Sequence, residues 1–136
     1  METAEQPGAA VETVTELTRR FGGGSGAPAT ELLHPDVTVE QPGSLPHGGV
    51  YRGVAGLGDM AAAFGKNWER VIENPRIFGS GGSAVMLTTQ TWTAVTSGRS
   101  ATVDVVELFT VVDGLVRSIR VFPQDTHLLL QTLDAT

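Results

Sequence analysis

Glu107 is the residue whose type and setting point most directly to chemistry. It lies within residues 102–112, the longest β-like run of the chain. Because strand side chains alternate between two faces, Glu107 shares one face with Val105 and Phe109. A carboxyl group between such neighbours must be exposed at a mouth, paired or protonated. We expect a general acid, base or hydrogen-bond donor in a dry pocket. The alternative is a structural carboxylate that pairs with an arginine or faces solvent.

Four further side chains could take part in such chemistry. Gln41 ends a predicted strand and could orient a ligand carbonyl or hydroxyl, or bond only to the loop backbone. His47 titrates near physiological pH and could shuttle protons at the mouth, or be an exposed loop residue. Tyr51 could offer its hydroxyl to the pocket or pack on the loop. Asp125 follows the last strand and could reach the pocket from there.

The composition excludes several classes of function. The chain has 136 residues, which suits one domain spanning residues 1–136, with residues 1–8 expected to be disordered. A net charge of −6 with dispersed arginines argues against a nucleic-acid surface, and we expect no membrane span. The absence of cysteine is compatible with a cytoplasmic location. Because no histidine pair stands at ligand spacing on one element, we expect no metal.

The elements that must position these residues form an α+β pattern. An apolar stripe at spacings of three and four predicts a first helix over residues 9–21, followed by a short helix over 28–33. A strand over 37–41, a loop over 42–53 and a long helix over 54–70 come next. The remaining strands are predicted at 75–79, 84–95, 101–112 and 115–122, with a short apolar tail over 126–133. This order favours a conical, curved antiparallel sheet around the long helix, with two further N-terminal helices.

Two segments carry a resemblance to a known family. The stretch 37–46 and the stretch 104–109 with its Asp113-Gly114 turn resemble the nuclear transport factor two-like (NTF2-like) superfamily. Within that superfamily they are similar to the ketosteroid isomerases and the SnoaL-like polyketide cyclases. The resemblance implies a cone with an apolar pocket and chemistry without a cofactor. In the isomerase branch, an Asp moves the proton while a Tyr and a protonated Asp bind the enolate, an arrangement that is an established example of a neutral carboxylic acid.

The resemblance carries over only in part. The isomerase base falls on Gln41, the oxyanion Tyr falls near Leu17, and only the strand carboxylate is kept in kind, as Glu107. The acid that many members carry after the last strand falls on Gln124, with Asp125 next. Epoxide opening would need a carboxylate pair around a water, and Asp104 lies on the strand face opposite Glu107.

The sequence therefore predicts a small cofactor-independent enzyme of secondary metabolism. It would isomerise or cyclise a hydrophobic polyketide- or steroid-like carbonyl compound by proton transfer. The alternatives are a non-catalytic binding protein on the same fold and, third, an epoxide hydrolase-like enzyme. We also expect a homodimer through the outer sheet face. The predicted ligand-binding wall consists of Leu17, Val39, Met60, Phe64, Trp68, Trp92, Val105, Phe109, Ile119 and Val121.

Overall fold

The computed structural model of the chain describes residues 8–23 and 27–134. Residues 1–7 of the segment predicted to be disordered lie outside these ranges. The described elements, in chain order, are α1 (Ala9–Phe21), a 3₁₀ turn (Ala29–Leu32), β1 (Leu33–Gln41), β2 (Gly49–Arg52), α2 (Gly53–Gly65), β3 (Trp68–Ser80), β4 (Ser83–Ala94), β5 (Ser100–Val112), β6 (Leu115–Pro123) and α3 (Thr126–Gln131).

The six strands form one curved, open sheet in the order β2-β1-β6-β5-β4-β3. All neighbours are antiparallel except β1 and β6, which run parallel. The predicted α+β fold is confirmed. We call the face that carries Val105, Glu107 and Phe109 the inner face, because most of its side chains are buried. The opposite face of the sheet is the outer face.

The boundary between α2 and β3 differs from the prediction. The helix ends at Gly65, and Trp68 begins a 13-residue edge strand instead of continuing the helix. The predicted break at Asn74-Pro75 is a bulge between Glu73 and Arg76, where Asn74 adopts a positive φ of 55°. An edge strand tolerates proline because one side of its backbone needs no partner. Residues 49–52, predicted as loop, pair with β1 as β2.

Two groups of buried side chains divide the inner face. One lies under α1 and includes Val14, Leu17 and Phe109. The other lies under the loop after β1 and under α3, and includes Trp68 and Trp92. Helix α2 crosses both groups, yet none of its residues is fully buried. Its larger apolar side chains pack against the buried groups and keep part of their surface accessible.

Candidate functional site

Glu107 lies on the inner face in the middle of β5. Its cross-strand neighbours are Met86 on β4 and Val121 on β6. Part of the residue keeps accessible surface, but burial of the carboxyl group raises its pKa above the usual 4.5, and the positive charge of Arg70 partly opposes that rise. Among the described residues the carboxyl group has no hydrogen-bond or ion-pair partner. Such a group can exchange a proton or donate a hydrogen bond to a ligand.

Gln41 lies on the same inner face, at the end of β1. Because Glu40 pairs with Arg120, Gln41 falls beside Val121, and Val121 pairs with Glu107. Two strand spacings separate the backbones of Gln41 and Glu107 by about 10 Å. The Gln41 Nε2 atom donates to Met60 Sδ at 3.1 Å. Sulfur is a weak acceptor, so the amide remains available to a stronger one.

A cleft of about 300 Å³ opens beside Gln41, where β1 and β6 end. Its wall combines side chains from both faces of the sheet with the loop that follows β1: Gln41 and Val121 come from the inner face, and Arg120 and Phe122 come from the outer face. It does not include Glu107. The cleft is lined by residues 40–44, 120–123 and 126.

His47 lies inside the protein, which corrects the expectation of an exposed residue at the mouth. It is only 2% exposed, and its ring centroid is 5.2 Å from that of Phe64, 5.7 Å from Trp68 and 5.8 Å from Trp92. We call these four side chains the aromatic cluster. Its Nδ1 atom is buried without a hydrogen-bond partner among the described residues. Desolvation, with a smaller contribution from Arg70, lowers the pKa of His47 to about 4, so the imidazole is neutral at pH 7.

The loop after β1 is folded tightly enough to bury His47. Successive turns join Leu45 N–H to the Pro42 carbonyl at 3.1 Å and Gly48 N–H to the Leu45 carbonyl at 2.8 Å. Gly48 leaves no room for a side chain, because a Cβ there would collide with the Pro42 backbone. The Tyr51 hydroxyl donates to the His47 carbonyl at 3.0 Å. Tyr51 therefore fixes the loop, and its hydroxyl is already engaged.

Arg70 is a site residue that the sequence reasoning missed. It pairs with Trp92 across β3 and β4, so it projects from the inner face. Its guanidinium carbon lies 5.0 Å from the centroid of the Phe64 ring. Its positive charge acts to lower the pKa of both His47 and Glu107. Trp68 and Arg70 are two residues apart, so in a strand they lie on the same face. The helix predicted over this segment hides that relation.

A buried hydrogen-bonded chain along β4 was also missed. Trp92 Nε1 donates to Gln90 Oε1 at 2.8 Å, and Gln90 Nε2 donates to Thr88 Oγ1 at 3.0 Å. Trp68 Nε1 separately donates to Thr132 Oγ1 at 2.8 Å. These bonds satisfy the polar atoms of both tryptophans and hold their rings in place. Thr88, Gln90 and Trp92 are two residues apart, and in a strand that spacing puts all three on one face.

Asp125 does not belong to the site, contrary to its assignment as a catalytic candidate. It is exposed, and its carboxylate accepts from the Leu128 N–H at 3.0 Å as the N-cap of α3. Asp104 lies on the outer face, where it accepts from Thr89 Oγ1 at 3.0 Å. It is therefore separated from Glu107 by the sheet, and these two carboxylates cannot share a water.

The predicted ligand-binding wall divides into packed core and accessible surface. All ten side chains belong to the two buried groups or pack against them. Met60, Phe64 and Val121 keep accessible surface and can contact a ligand directly. The seven that are at most 8% exposed form the core behind them: Leu17, Val39, Trp68, Trp92, Val105, Phe109 and Ile119.

The part of the chain that the structure describes lacks two other kinds of feature. No group of three His, Asp or Glu side chains within residues 8–23 and 27–134 is placed to hold a metal ion. In the same ranges, no helix has the length and apolar content needed to cross a membrane. The expected absence of a metal and of any cofactor stays a prediction.

Comparison with known proteins identifies a family. Residues 14–119 match the profile of the family described as SnoaL-like domain. No curated protein sequence matches the chain.

Solved structures with the same fold are numerous. An NTF2-like protein from Burkholderia xenovorans LB400 is 23% identical with a TM-score of 0.82, over 95% of this chain and 98% of that one. A candidate SnoaL-like polyketide cyclase from Jannaschia sp. CCS1 is 21% identical with a TM-score of 0.73, over 100% and 99%. TerC, co-crystallised with polyporic acid, is 22% identical with a TM-score of 0.75, over 92% and 98%. At these identities the likeness concerns the fold.

Proposed function

The chain belongs to the SnoaL-like domain family, and from this premise we propose that it is a small enzyme that moves a proton on a hydrophobic carbonyl compound. The reaction is an isomerisation or an aldol-type cyclisation of a polyketide- or steroid-like substrate, and it needs no cofactor. The observation that carries the proposal is the carboxyl group of Glu107, which is desolvated and unpaired among the described residues on the inner face.

The raised pKa of Glu107 suits proton exchange. Desolvation brings the pKa of a carboxyl group closer to neutral pH, where one group can both accept and return a proton. Glu107 takes a proton from the carbon next to the carbonyl and returns it to another carbon or to an oxygen. The negative charge develops on the carbonyl oxygen, and the Gln41 amide N–H is free to donate to it when it leaves the weak contact with Met60.

Exchange of hydrogen with solvent tests this step. A bicyclic ketone such as 2-tetralone is a suitable probe, because loss of its α-hydrogens in deuterated water is followed by NMR. We expect the protein to accelerate exchange and Glu107→Gln to reduce the acceleration about 100-fold or more. Asp104→Asn, on the same strand but on the outer face, is the matched control and should exchange like the wild type. Equal rates for Glu107→Gln and the wild type would remove Glu107 from the chemistry.

A second candidate function is ligand binding without turnover. It is favoured by the lack of a second titratable partner at Gln41 and by the neutral, enclosed state of His47. In that case the probe binds, as followed by quenching of the two tryptophans, but its exchange rate in the presence of protein equals the rate in buffer.

The cytoplasmic location stays a prediction.

We also propose that the outer face forms a homodimer. Phe78, Val85 and Leu108 lie in one row across β3, β4 and β5, and Phe122 lies beside them on β6. Phe78 is 53% and Phe122 44% exposed, which is high for large apolar side chains. Sedimentation velocity at micromolar concentration should show a dimer, and Phe78→Asp should shift it towards monomer. A monomeric wild type would overturn this.

A further inference from the structure

We propose that the ligand of this site is an anion whose negative group, a carboxylate or an acidic enol, binds to Arg70 at the edge of the inner face. The proposal rests on the proposed small-molecule site but does not need catalysis. It assigns Arg70 as the residue that selects charged over neutral ligands.

The first ground is the position of Arg70. It projects from the inner face beside Trp92, and its guanidinium lies over the ring of Phe64, one of the α2 side chains that cover that face. Phe64 keeps accessible surface and Arg70 is exposed. The guanidinium is therefore open to solvent beside a partly exposed aromatic ring, where an anionic ligand can approach it.

The second ground is that the guanidinium has no anionic partner. Among the described residues, Arg70 has neither a hydrogen bond nor an ion pair. Most other arginines hold an acceptor: Arg20 bonds Glu16 and Glu31, and Arg120 bonds Glu40. Arg52 and Arg76 are also without one, but their registers place them on the outer face, opposite Thr38 and Leu87. Arg70 is thus the unpaired arginine on the inner face.

The third ground is the charge of the groups around it. Burial opposes ionisation of the two titratable side chains on which Arg70 acts, since it lowers the pKa of His47 and raises that of Glu107. Neither forms an ion pair with Arg70, so no direct contact among the described residues neutralises the guanidinium. A guanidinium binds planar oxyanions with two parallel hydrogen bonds, so a carboxylate or the oxygens of an acidic enol complement it best.

A matched pair of ligands tests the proposal. 2-Naphthoate and 2-naphthamide have the same ring system and nearly the same shape, but only the first is an anion at pH 7. Both tryptophans lie in the aromatic cluster, so quenching of their fluorescence reports binding. We expect naphthoate to bind about tenfold more tightly than naphthamide, which is the effect of one charged hydrogen-bond pair at a partly exposed site. The preference should fall as salt is raised.

Variants on β3 separate charge from packing. Arg70→Met should abolish the preference for naphthoate and leave the affinity for naphthamide unchanged, while Arg70→Lys should keep part of it. Arg76→Met, on the same strand but on the outer face, is the control and should retain the full preference. Equal affinity of the wild type for both ligands, or an equal loss of both in Arg70→Met, would overturn the proposal.

The exchange assay keeps the two proposals distinguishable. 2-Tetralone is neutral, so the wild-type protein should accelerate its exchange if the proposed function is right, whether or not it prefers naphthoate. If no protein accelerates exchange but the naphthoate preference depends on Arg70, the proposed function fails and the anion site stands. If exchange depends on Glu107 and the ligands bind alike, the anion site fails alone.

Discussion

Replacing His47 should remove a large part of the acid sensitivity of this protein. Burial lowers the pKa of His47 from 6.5 to about 4. The folded pKa lies below the unfolded one, so the unfolded state binds more protons in that window. Stability is therefore unaffected by this group above pH 6.5 and is lost as the pH falls towards 4.

The size of the effect follows from the shift. Near pH 4.5 the unfolded imidazole is almost fully protonated and the folded one mostly neutral, which costs the folded state about 2.5 kcal/mol. This is an upper bound, because the faces of nearby aromatic rings attract an imidazolium and offset part of the desolvation. Arg70, the charged group acting on His47, works in the other direction. His47→Phe keeps an aromatic ring in the cluster but cannot be protonated.

The assay is urea unfolding at several pH values, followed by tryptophan fluorescence. The free energy of unfolding of the wild type should fall by up to about 2.5 kcal/mol more than that of His47→Phe between pH 7.5 and 4.5. His127→Gln, a substitution of an exposed histidine on α3, is the matched control and should follow the wild type. Parallel curves for the wild type and His47→Phe would refute the reasoning.

Glu107 changes the free energy of unfolding with pH in the direction opposite to His47. The effect of His47 must therefore be read as the difference between the wild type and His47→Phe. Its folded pKa is raised, so the folded state binds more protons than the unfolded state above pH 4.5. Stability from this group therefore falls as the pH rises through the folded pKa. The two contributions overlap above pH 4.5, and subtracting the His47→Phe curve from the wild-type curve isolates that of His47. Glu107→Gln should in turn stabilise the protein at pH 8.

Two further predictions concern the scaffold of the site. Gly48→Ala should destabilise the protein by about 1–3 kcal/mol, because the new Cβ collides with the Pro42 carbonyl. Gly43→Ala, in the same loop, is the control: its Cβ meets nothing within 4 Å, so the substitution should be tolerated. Equal urea midpoints for the two variants would contradict this. Gln90→Leu should cost about 1–3 kcal/mol, because it leaves the buried Trp92 Nε1–H without an acceptor; an unchanged free energy of unfolding would show that this bond is dispensable.

The sequence predicted those parts of the fold in which one periodicity dominates. The stripe of Val14 and Leu17 predicts α1 with the bounds that the structure has. The alternation on β5 places Glu107 on the face of Val105, which is the inner face. Both predictions rest on local geometry, in which the side-chain direction follows directly from the position along the element.

The segment after α2 could not be predicted because two periodicities coincide there. Phe64 and Trp68 are four residues apart, so they fit a continuing helix. Trp68 is instead placed by its pairing with Ala94 and by the bond from its indole to Thr132, both distant in sequence. Local spacing contains no information about such partners. The same error hid Arg70, since a helical frame does not put it on the face of Trp68.

His47 was misplaced for a different reason. Its loop is rich in Gly and Pro, a composition that is typical of exposed turns. Burial comes from Leu45, which packs on the tryptophans, and from Tyr51, whose hydroxyl holds the His47 carbonyl. These contacts depend on β2, which forms only when the chain returns to pair with β1.

The composition of α2 explains why this helix leaves part of its own apolar surface uncovered. Leu57, Met60 and Phe64 reach towards the sheet and are only partly buried, and between them the helix carries glycine and alanine. Small residues cover little apolar surface, so the larger side chains keep faces that a ligand can contact. At the end of the helix, the Phe64 ring packs on Trp92 with 4.9 Å between the ring centroids, and the guanidinium carbon of Arg70 lies 5.0 Å from the Phe64 centroid. An anionic group that binds Arg70 would therefore lie beside an aromatic ring that the protein already holds in place.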